Sequence, residues 1–481
     1  MIERKVNVKG KIGIFAVAHA AYWNQFEGLY DNIMGYHNDF CKKIQNFGSE
    51  VIDFGMIDSS EKAYEAIHEI LSADVDVIFC NMVTYATSSV FAPIIKAVNK
   101  PFVLTALQPR TAMDYTKAST FMQLENDNIC SVPEFTGVAV RMGKKVNDVI
   151  IGHLYGDEKA DKELREWCSI AKVLNSLKGA RIGLIGHVLE AMYDMHADPT
   201  AISSAFDVHV PLLEVDDMIE VYNTVTDDEI EQKKEVIRRE FDMPEPKSDP
   251  VTSKLTEEDL EQAARSSVML DKFVEKHKLT GLAYYYEGGE DSLHRRIVTS
   301  LIVGNSILNA QGIPMCGEFD IKTCIAMLIM DRLGIGGSFA EFHPIDFDED
   351  FILVGHDGPH HLEIAQGKPI LRSLKKYHGK PGRGASVEFK IKEGPITMLG
   401  ITQTYDGKFK FVIGEGVSKE GPIPPTGNTN TRGFFEPTTR EFLKKWVMEG
   451  PTHHYALGIG HHANTIKKIA DVLGIESVIV K

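Results

Sequence analysis

Two glutamates and two histidines in the last third of the chain have the types and surroundings that a divalent cation site requires. Glu318 lies in a Gly-Glu-Phe-Asp segment just before a predicted helix, and Glu341 follows the glycine-rich end of that helix. His356 follows an apolar, strand-like run, and the pair His453-His454 follows a Gly-Pro-Thr segment. Each lies at the edge of an element, so its side chain can project into a cleft.

Carboxylate and imidazole groups suit Mn²⁺, Mg²⁺ or Co²⁺, and a set without cysteine argues against a structural zinc site. A cation held by these groups could stabilise negative charge on two neighbouring substrate oxygens. The carboxylates around it could move protons to and from the adjacent carbons. Interconversion of an aldose and a ketose needs both capabilities.

Each of these residues also has an ordinary structural interpretation. A glutamate at a helix start usually interacts with the helix dipole, and a histidine after an apolar strand is usually a hydrogen-bonded one. Histidine pairs also occur at His360-His361 and His461-His462, so a pair alone does not identify a ligand. Either His360 or His361 could compete with His356 for a cation.

Four short motifs occur in a fixed order between Gly317 and His454: GEFDIKT, GGSFAEF, LVGHDG and GPTHH. They resemble, in order and separation, the metal-site segments of the L-arabinose isomerase family, within the L-fucose/L-arabinose isomerase superfamily. The resemblance implies an aldose–ketose isomerase, an intramolecular oxidoreductase of carbohydrate metabolism. It further implies that four residues bind the cation, with Mn²⁺ expected and Mg²⁺ or Co²⁺ as alternatives: Glu318, Glu341, His356 and His454.

The same resemblance implies a mechanism and an assembly. An open-chain sugar would bind the cation through O1 and O2, and Glu318 and Glu341 would exchange a proton between C1 and C2 through a cis-enediol. A metal-assisted hydride shift is the alternative route. The family also implies a homo-oligomer, a hexamer, with active sites between neighbouring subunits.

The sugar-contact positions match the family less well than the metal motifs do. His453 coincides with a neighbour that contacts substrate, but His19 replaces a glutamine, Tyr286 a phenylalanine and Leu189 a methionine. Such exchanges alter the hydrogen-bond pattern and the size of a pocket, and both discriminate between sugars. We therefore expect a substrate other than L-arabinose, such as another pentose, a hexose or a modified sugar.

Two arginines raise the hypothesis of an anionic substrate. Arg110 lies just beyond a predicted strand, and Arg432 lies in an Asn-Thr-Arg-Gly-Phe segment. Surface arginines usually form weak ion pairs. The alternative is that one or both recognise an anionic group on a modified sugar.

The elements that must position these residues indicate an α/β protein. Short apolar strand-like runs alternate with helical stretches, first from Lys11 and again from Arg181, which is typical of parallel sheets covered on both faces. After Ser338 the runs are joined by turns such as Asp406-Gly407, a strong hairpin signal. We predict two doubly wound parallel-sheet domains, at 1–178 and 179–337, followed by a mostly antiparallel β domain at 338–481.

Composition excludes several classes of protein. The 481 residues carry 52 Lys+Arg against 68 Asp+Glu, a net charge of −16, which disfavours a nucleic-acid partner. No apolar run is long enough to span a membrane, and the N-terminus lacks the features of a signal peptide. Six scattered cysteines without CxxC pairs suit reduced thiols better than disulfides or a cysteine-based zinc site, so we expect a cytoplasmic protein.

Two other functions are compatible with these observations. A cytoplasmic sugar-binding or sensing protein could use the same scaffold, although it would not need both carboxylates. A metal-dependent aldolase or dehydratase acting on a sugar acid could use the same cation and carboxylates.

Overall fold

The computed structural model describes residues 2–189, 192–245, 252–374, 376–377, 380–381, 384–424 and 429–481. The chain forms two compact units. One is Val8–Ser176, and the other combines the residues up to Asn7 with Leu177–Lys481. None of the described helices is both long enough and apolar enough to cross a lipid bilayer.

The unit Val8–Ser176 is built on a five-stranded parallel sheet in the order β2-β1-β3-β4-β5. Its central strands are apolar and almost wholly buried, as expected for a sheet covered by helices. The elements are β1 (Lys11–Val17), α1 (Leu29–Asn46), β2 (Glu50–Ile57), α2 (Ser60–Ser72), β3 (Val77–Met82), α3 (Ala92–Ala97), β4 (Phe102–Gln108), α4 (Thr120–Glu125), α5 (Val132–Arg141), β5 (Asp148–His153) and α6 (Glu158–Leu177).

The second unit begins with a four-stranded parallel sheet in the order β10-β9-β6-β7. Its elements, together with a short strand β8 that joins the later sheet, are β6 (Ile182–Ile185), α7 (Pro199–Phe206), β7 (Leu212–Leu213), α8 (Val215–Asn223), α9 (Asp227–Glu240), β8 (Thr252–Ser253), α10 (Glu257–His277), β9 (Gly281–Tyr284), α11 (Leu293–Val298), α12 (Ile302–Ala310), β10 (Met315–Cys316) and α13 (Ile321–Leu333).

A ten-stranded, mostly antiparallel sheet completes this unit, in the order β21-β18-β17-β20-β11-β12-β19-β16-β13-β8. Two of its pairings, β18 with β21 and β16 with β19, are parallel. The remaining elements are β11 (Gly336–Asp346), β12 (Phe351–His356), β13 (Ala365–Leu374), β14 (Lys376–Tyr377), β15 (Lys380–Pro381), β16 (Ala385–Ile391), β17 (Gly394–Gln403), β18 (Phe409–Lys419), β19 (Thr429–Phe434), α14 (Thr439–Met448), β20 (Tyr455–Ile459), α15 (Ala463–Leu473) and β21 (Glu476–Val480).

Helix α13 connects the two sheets of this unit. Every residue from Ile321 to Arg332 is buried, including the charged ones, and the helix packs against β9, β11, β17 and β20. One apolar core runs from the parallel sheet into the antiparallel one, for example from Tyr284 to Val354 and Met398. The elements before and after α13 are therefore held in fixed positions.

The predicted fold class is confirmed: parallel sheets with helices precede a mostly antiparallel β region. The predicted hairpin at Asp406-Gly407 joins β17 to β18, where Gln403 pairs with Phe409 and Gly407 has φ 80°. The domain boundaries drawn from the sequence stay predictions.

Candidate metal centre

Glu318 lies in the tight connection between β10 and α13. Glu318 and Phe319 have φ values of 58° and 63°, in the left-handed region that residues with a side chain rarely adopt. The Phe319 amide donates to the carbonyl of Tyr284 at 2.9 Å, which fixes the turn. Only 5% of Glu318 is exposed, so the strained turn holds its carboxylate inside the protein.

The other three candidate ligands lie on or beside three adjacent strands. Strand β11, which carries Glu341, lies between β12 and β20. Glu341 pairs with Gly355, next to His356, and Ala340 pairs with Tyr455, next to His454. The strand register therefore brings residues from three distant segments to one point of the sheet.

The four side chains of this cluster lie close together. His356 Nε2 is 3.6 Å from Glu318 Oε1 and 3.9 Å from Glu341 Oε1, and His454 Nε2 is 3.8 Å from Glu318 Oε2. The ring of Phe339 packs against both imidazoles, with centroid separations of 4.5 Å and 4.3 Å. We call Glu318, Glu341, His356 and His454 the four-residue cluster.

Each histidine of the cluster has a carboxylate behind it. Asp320 Oδ2 is hydrogen-bonded to His454 Nδ1 at 3.2 Å, whereas Asp357 Oδ1 lies 3.2 Å from His356 Nδ1 as an ion-pair contact without hydrogen-bond geometry. Both Nε2 atoms therefore face the carboxylate of Glu318. Histidines that bind metals commonly have such a partner on the second ring nitrogen, because it fixes the tautomer and the ring orientation.

Asp320 also begins helix α13. Its Oδ1 accepts from the amide of Thr323 at 3.1 Å, and its Oδ2 accepts from the Thr323 hydroxyl at 2.8 Å. One carboxylate thus caps the helix and orients His454.

The pKa shifts of the cluster reflect burial and the mutual attraction of its carboxylates and imidazoles. Burial opposes ionisation of Glu318, but His356 and His454 outweigh it, so the pKa of Glu318 is lowered. Burial also opposes protonation of His356, but Asp357 and Glu318 raise its pKa to about 10. For His454, burial is stronger than the attraction of Asp320 and lowers its pKa, which leaves a neutral imidazole of the kind that metals bind.

The donor atoms fit a divalent cation. Glu318 Oε2 and His454 Nε2 are both buried and have no hydrogen-bond partner in the protein, which is costly for polar atoms unless a ligand satisfies them. Ligand atoms about 2.1 Å from one ion lie about 3.0 Å apart at right angles and about 4.2 Å apart when opposite. The separations of 3.6–3.9 Å fall within that range.

His453, the first of the pair, contacts Asp194, and with Glu341 and His454 it also forms a group of possible metal ligands whose atoms lie within 4.8 Å of one another. Its backbone amide and its Nδ1 both contact Asp194 Oδ2, at 3.0 Å and 2.6 Å. The backbone near Asp194 is held by the buried Lys322, which donates to the carbonyls of Asp194 and His196 at 2.9 Å and 3.1 Å. Sequence reasoning missed Asp194, which lies in the short 3₁₀ helix Tyr193–Met195, because only the folded chain brings it to His453.

A cavity of about 280 Å³ adjoins the cluster. It shares Glu341 with the cluster and places this carboxylate beside an open space. The remaining lining residues are Asp194, Phe342, Trp446, Val447, Pro451, Thr452 and His453. A larger groove of about 900 Å³, bordered by Ile2, Leu333 and Ile364 among others, contains no residue of the cluster.

Two of the residues predicted to contact the sugar, Tyr286 and Leu189, lie in the same unit as the four-residue cluster. Tyr286 is 3% exposed, and burial followed by the negative charge of Glu318 raises the pKa of its hydroxyl. Leu189 is half-buried and packs against the apolar core of the unit. The influence of Glu318 on Tyr286 indicates that the two side chains are neighbours.

Arg432 is not brought to the cluster. Arg432 of β19 pairs with Leu353 of β12, so these two side chains lie on the same face of the sheet. Leu353 and His356 are three residues apart on β12 and therefore point to opposite faces. Arg432 thus lies on the face opposite His356. There its guanidinium contacts Glu349 Oε1 at 2.9 Å and lies 4.0 Å from the ring centre of Phe351.

The other two predicted sugar contacts belong to the unit Val8–Ser176. His19 is half-buried just after β1, with its ring 5.4 Å from that of Tyr22 and 6.3 Å from that of Tyr85. Arg110 is exposed just past the end of β4.

The pair His360-His361, which could have competed with His356 for a cation, contacts residues outside the four-residue cluster. His361 Nε2 lies 3.2 Å from Asp331 Oδ1, and the ring of His360 packs 5.7 Å from that of Phe389. Burial, aided by His356, lowers the pKa of His360 to about 3. Within the described residues, neither histidine belongs to a group of possible metal ligands.

Comparison with known proteins gives two family matches. Residues 193–336 match the family model of the L-arabinose isomerase central domain, and residues 350–481 match that of the L-fucose isomerase C-terminal domain. The segment between these matches contains Glu341.

Comparison of the whole chain with curated proteins finds relatives that are L-arabinose isomerases. The chain is 25% identical over 416 residues to an L-arabinose isomerase of Nocardioides sp., covering 83% of this chain and 79% of the relative. It is 24% identical over 366 residues to an L-arabinose isomerase of Bacillus subtilis, covering 72% of this chain and 69% of the relative. The resemblance drawn from the four motifs is thereby confirmed.

Proposed function

We propose that this chain, which belongs to the L-arabinose isomerase-like sugar isomerases, holds a divalent cation in the four-residue cluster and acts on an open-chain aldose there. The observation that carries the proposal is the pair of buried, unpartnered atoms Glu318 Oε2 and His454 Nε2, which face each other at 3.8 Å. His356 and Glu341 complete a donor set of oxygen and nitrogen atoms that suits Mn²⁺ first, with Mg²⁺ or Co²⁺ as alternatives.

A bound cation would supply positive charge beside the substrate oxygens and so favour removal of the proton from C2 of the aldose. The residues of the chain hold and orient the groups around it. Asp320 and Asp357 keep the Nε2 atoms of His454 and His356 directed inward. Phe339, packed against both rings, limits their rotation.

Glu341 is the better candidate for the base that moves the proton between C1 and C2. Its side chain is 32% exposed and borders the 280 Å³ cavity, whereas that of Glu318 is 6% exposed. A group that exchanges protons with substrate must reach it, and Glu341 can do so from the cavity wall. Glu318 then serves mainly as the buried anionic ligand, and the reaction passes through a cis-enediol.

We propose that the sugar extends from the cluster into this cavity, with His453 as a contact. Asp194 would fix the ring of His453, since its carboxylate contacts both the amide and Nδ1 of that residue. The differences at His19, Leu189 and Tyr286 support a substrate other than L-arabinose, such as a hexose or a modified sugar. A homo-oligomer, a hexamer with active sites at subunit boundaries, and a cytoplasmic location remain part of the proposal by family resemblance.

The test is conversion of a panel of aldoses by the purified protein, with Mn²⁺ and after chelation, followed by NMR in D₂O. We expect metal-dependent formation of ketose, with deuterium incorporated at C2 of the recovered aldose. Glu318→Gln should lack turnover, and Glu476→Gln on the edge strand β21 should retain it. A product of lower mass would instead indicate a lyase or dehydratase, and turnover that survives chelation would refute the metal site.

A further inference from the structure

A separate group of possible metal ligands lies in the unit Val8–Ser176. His37 and Cys41 are four residues apart on α1, so they share one face of the helix, and Asp53 lies on the neighbouring strand β2. Ligand atoms of the three residues all lie within 4.8 Å of one another. We propose that His37, Cys41 and Asp53 bind a zinc ion, a site separate from the four-residue cluster and independent of its function.

The separations fit tetrahedral zinc. His37 Nε2 lies 3.6 Å from Cys41 Sγ and 2.9 Å from Asp53 Oδ1. Zinc bonds are about 2.3 Å to sulfur and about 2.0 Å to nitrogen and oxygen. In a tetrahedral site these lengths place nitrogen about 3.5 Å from sulfur and about 3.3 Å from oxygen. The observed distance between His37 Nε2 and Cys41 Sγ matches the tetrahedral value, and Asp53 Oδ1 must move away from His37 Nε2 by a few tenths of an ångström to match its own. Because the Asp53 side chain is 38% exposed, it has room to do so.

The histidine has a partner that can support metal binding. His37 is fully buried, and Asn81 Nδ2 lies 3.1 Å from its Nδ1, while Thr105 Oγ1 lies 3.4 Å from Asn81 Oδ1. With zinc on Nε2, the imidazole proton moves to Nδ1. The Asn81 amide then rotates, so that its oxygen accepts from Nδ1 and its nitrogen donates to Thr105 Oγ1.

Charge also balances at this site. Binding displaces the proton of the Cys41 thiol, so one thiolate and the Asp53 carboxylate neutralise the two charges of Zn²⁺. The exposed edge of Asp53 leaves a fourth position for water and gives the ion a path of entry. A zinc ion at this site would link helix α1 to strand β2.

The test is a cobalt titration of the full-length protein after removal of metals by a chelator. A cysteine ligand gives Co²⁺ an intense thiolate-to-metal absorption in the near ultraviolet, which oxygen and imidazole ligands do not give. The four-residue cluster contains no cysteine, so this band reports only a thiolate site. We expect the band in the native protein and its loss in Cys41→Ser, a substitution of one atom.

Three variants show whether the absorption band comes from this site. Cys130→Ser removes an exposed thiol and should keep the band, and Glu318→Gln should keep it while losing turnover. Asn81→Ala should weaken cobalt binding by about 10–100-fold with the same band at saturation, as expected for a positioning residue. No band in the native protein, or a band that survives Cys41→Ser and disappears in Cys130→Ser, would overturn the proposal.

Discussion

Asp320 Oδ2 lies 3.2 Å from Nδ1 of His454, and both side chains are fully buried. The carboxylate therefore has no water to pair with and directs the histidine proton to Nδ1. Nε2 of His454 is left without a partner and faces Glu318. Because Asp320 is also the N-cap of α13, the helix and the proposed metal site depend on one side chain.

Asp320→Asn should separate these two roles. Asparagine caps a helix about as well as aspartate, so the free energy of unfolding should change little. The neutral amide of asparagine lacks the charge that orients His454, so the affinity for Mn²⁺ should fall by about 10–100-fold. Calorimetric titration with Mn²⁺ measures the affinity, and thermal unfolding measures the stability. Asp320→Ala, which removes the cap too, should lose about a further 1 kcal/mol. Unchanged affinity in Asp320→Asn would refute the role of Asp320.

Glu318→Gln and Glu341→Gln should differ in metal binding although both lose activity. Removal of a general base costs about 10²–10⁴-fold in rate, so Glu341→Gln should lower kcat by that range. Three ligands remain in this variant, and measurable Mn²⁺ affinity should persist. Glu318→Gln removes the carboxylate that lies between both histidines and should bind Mn²⁺ far more weakly. Electron paramagnetic resonance of free Mn²⁺ gives both affinities, and the reverse order would contradict the assignment.

Asp331→Asn should destabilise the second unit most at neutral pH. Burial opposes ionisation of Asp331, but His361, Arg4 and Arg332 lower its pKa below the usual range. A carboxylate with a lowered pKa in the folded state contributes stability above its unfolded pKa of about 3.9, and this contribution is lost as pH falls below that value. Breaking such a buried pair costs about 3–5 kcal/mol.

Denaturant unfolding of native protein and Asp331→Asn at pH 7 and at pH 3.5 tests this prediction. The difference in unfolding free energy between the two proteins should be smaller at the lower pH. A difference that is the same at both pH values would show that the charge of Asp331 is not its source.

Gly337→Ala should damage the site through the backbone. Gly337 has φ 107°, and an added Cβ would lie 2.7 Å from the carbonyl oxygen of Met327. The start of β11 would have to shift, and with it Glu341, so both stability and kcat should fall. Gly334→Ala is the matched control: its φ is also positive, at 78°, but nothing lies within 4 Å of the added atom. It should cost about 1–2 kcal/mol without loss of kcat. Equal kcat in the two variants would refute the steric argument.

Arg432→Met should lower stability without changing KM for the true substrate. The guanidinium is paired with Glu349 and stacked on Phe351, on the sheet face opposite His356. Thermal unfolding and steady-state kinetics measure the two effects. A large rise in KM with unchanged stability would instead support the hypothesis that Arg432 recognises an anionic sugar.

Local patterns predicted much of the fold. The helix predicted between the Gly-Glu-Phe-Asp segment and the glycine-rich segment spans Ile321–Leu333 in the structure, because the glycine that ends it is a local signal. The hairpin at Asp406-Gly407 is equally local. The motifs also identified the four residues of the cluster, since their order along the chain can be compared with a known family.

Tertiary relationships could not be read from the sequence. The left-handed backbone at Glu318 has no signal in a Gly-Glu-Phe-Asp segment. Asp194 meets His453 through tertiary contacts, and Lys322 holds the backbone of the helical turn that carries Asp194. The choice of His454 over His453 depends on the register of β20, and the face on which Arg432 lies depends on that of β12 and β19.

The position of β11 between β12 and β20 has a consequence for biosynthesis. The four residues of the cluster span the chain from Glu318 to His454, and His454 reaches the others through the pairing of β20 with β11. A ribosome-bound chain therefore lacks the complete set until β20 has been synthesised and has paired. Under the proposed function the cation would then be selected by the folded site rather than by the growing polypeptide, and a truncated product that lacks β20 should not retain the metal.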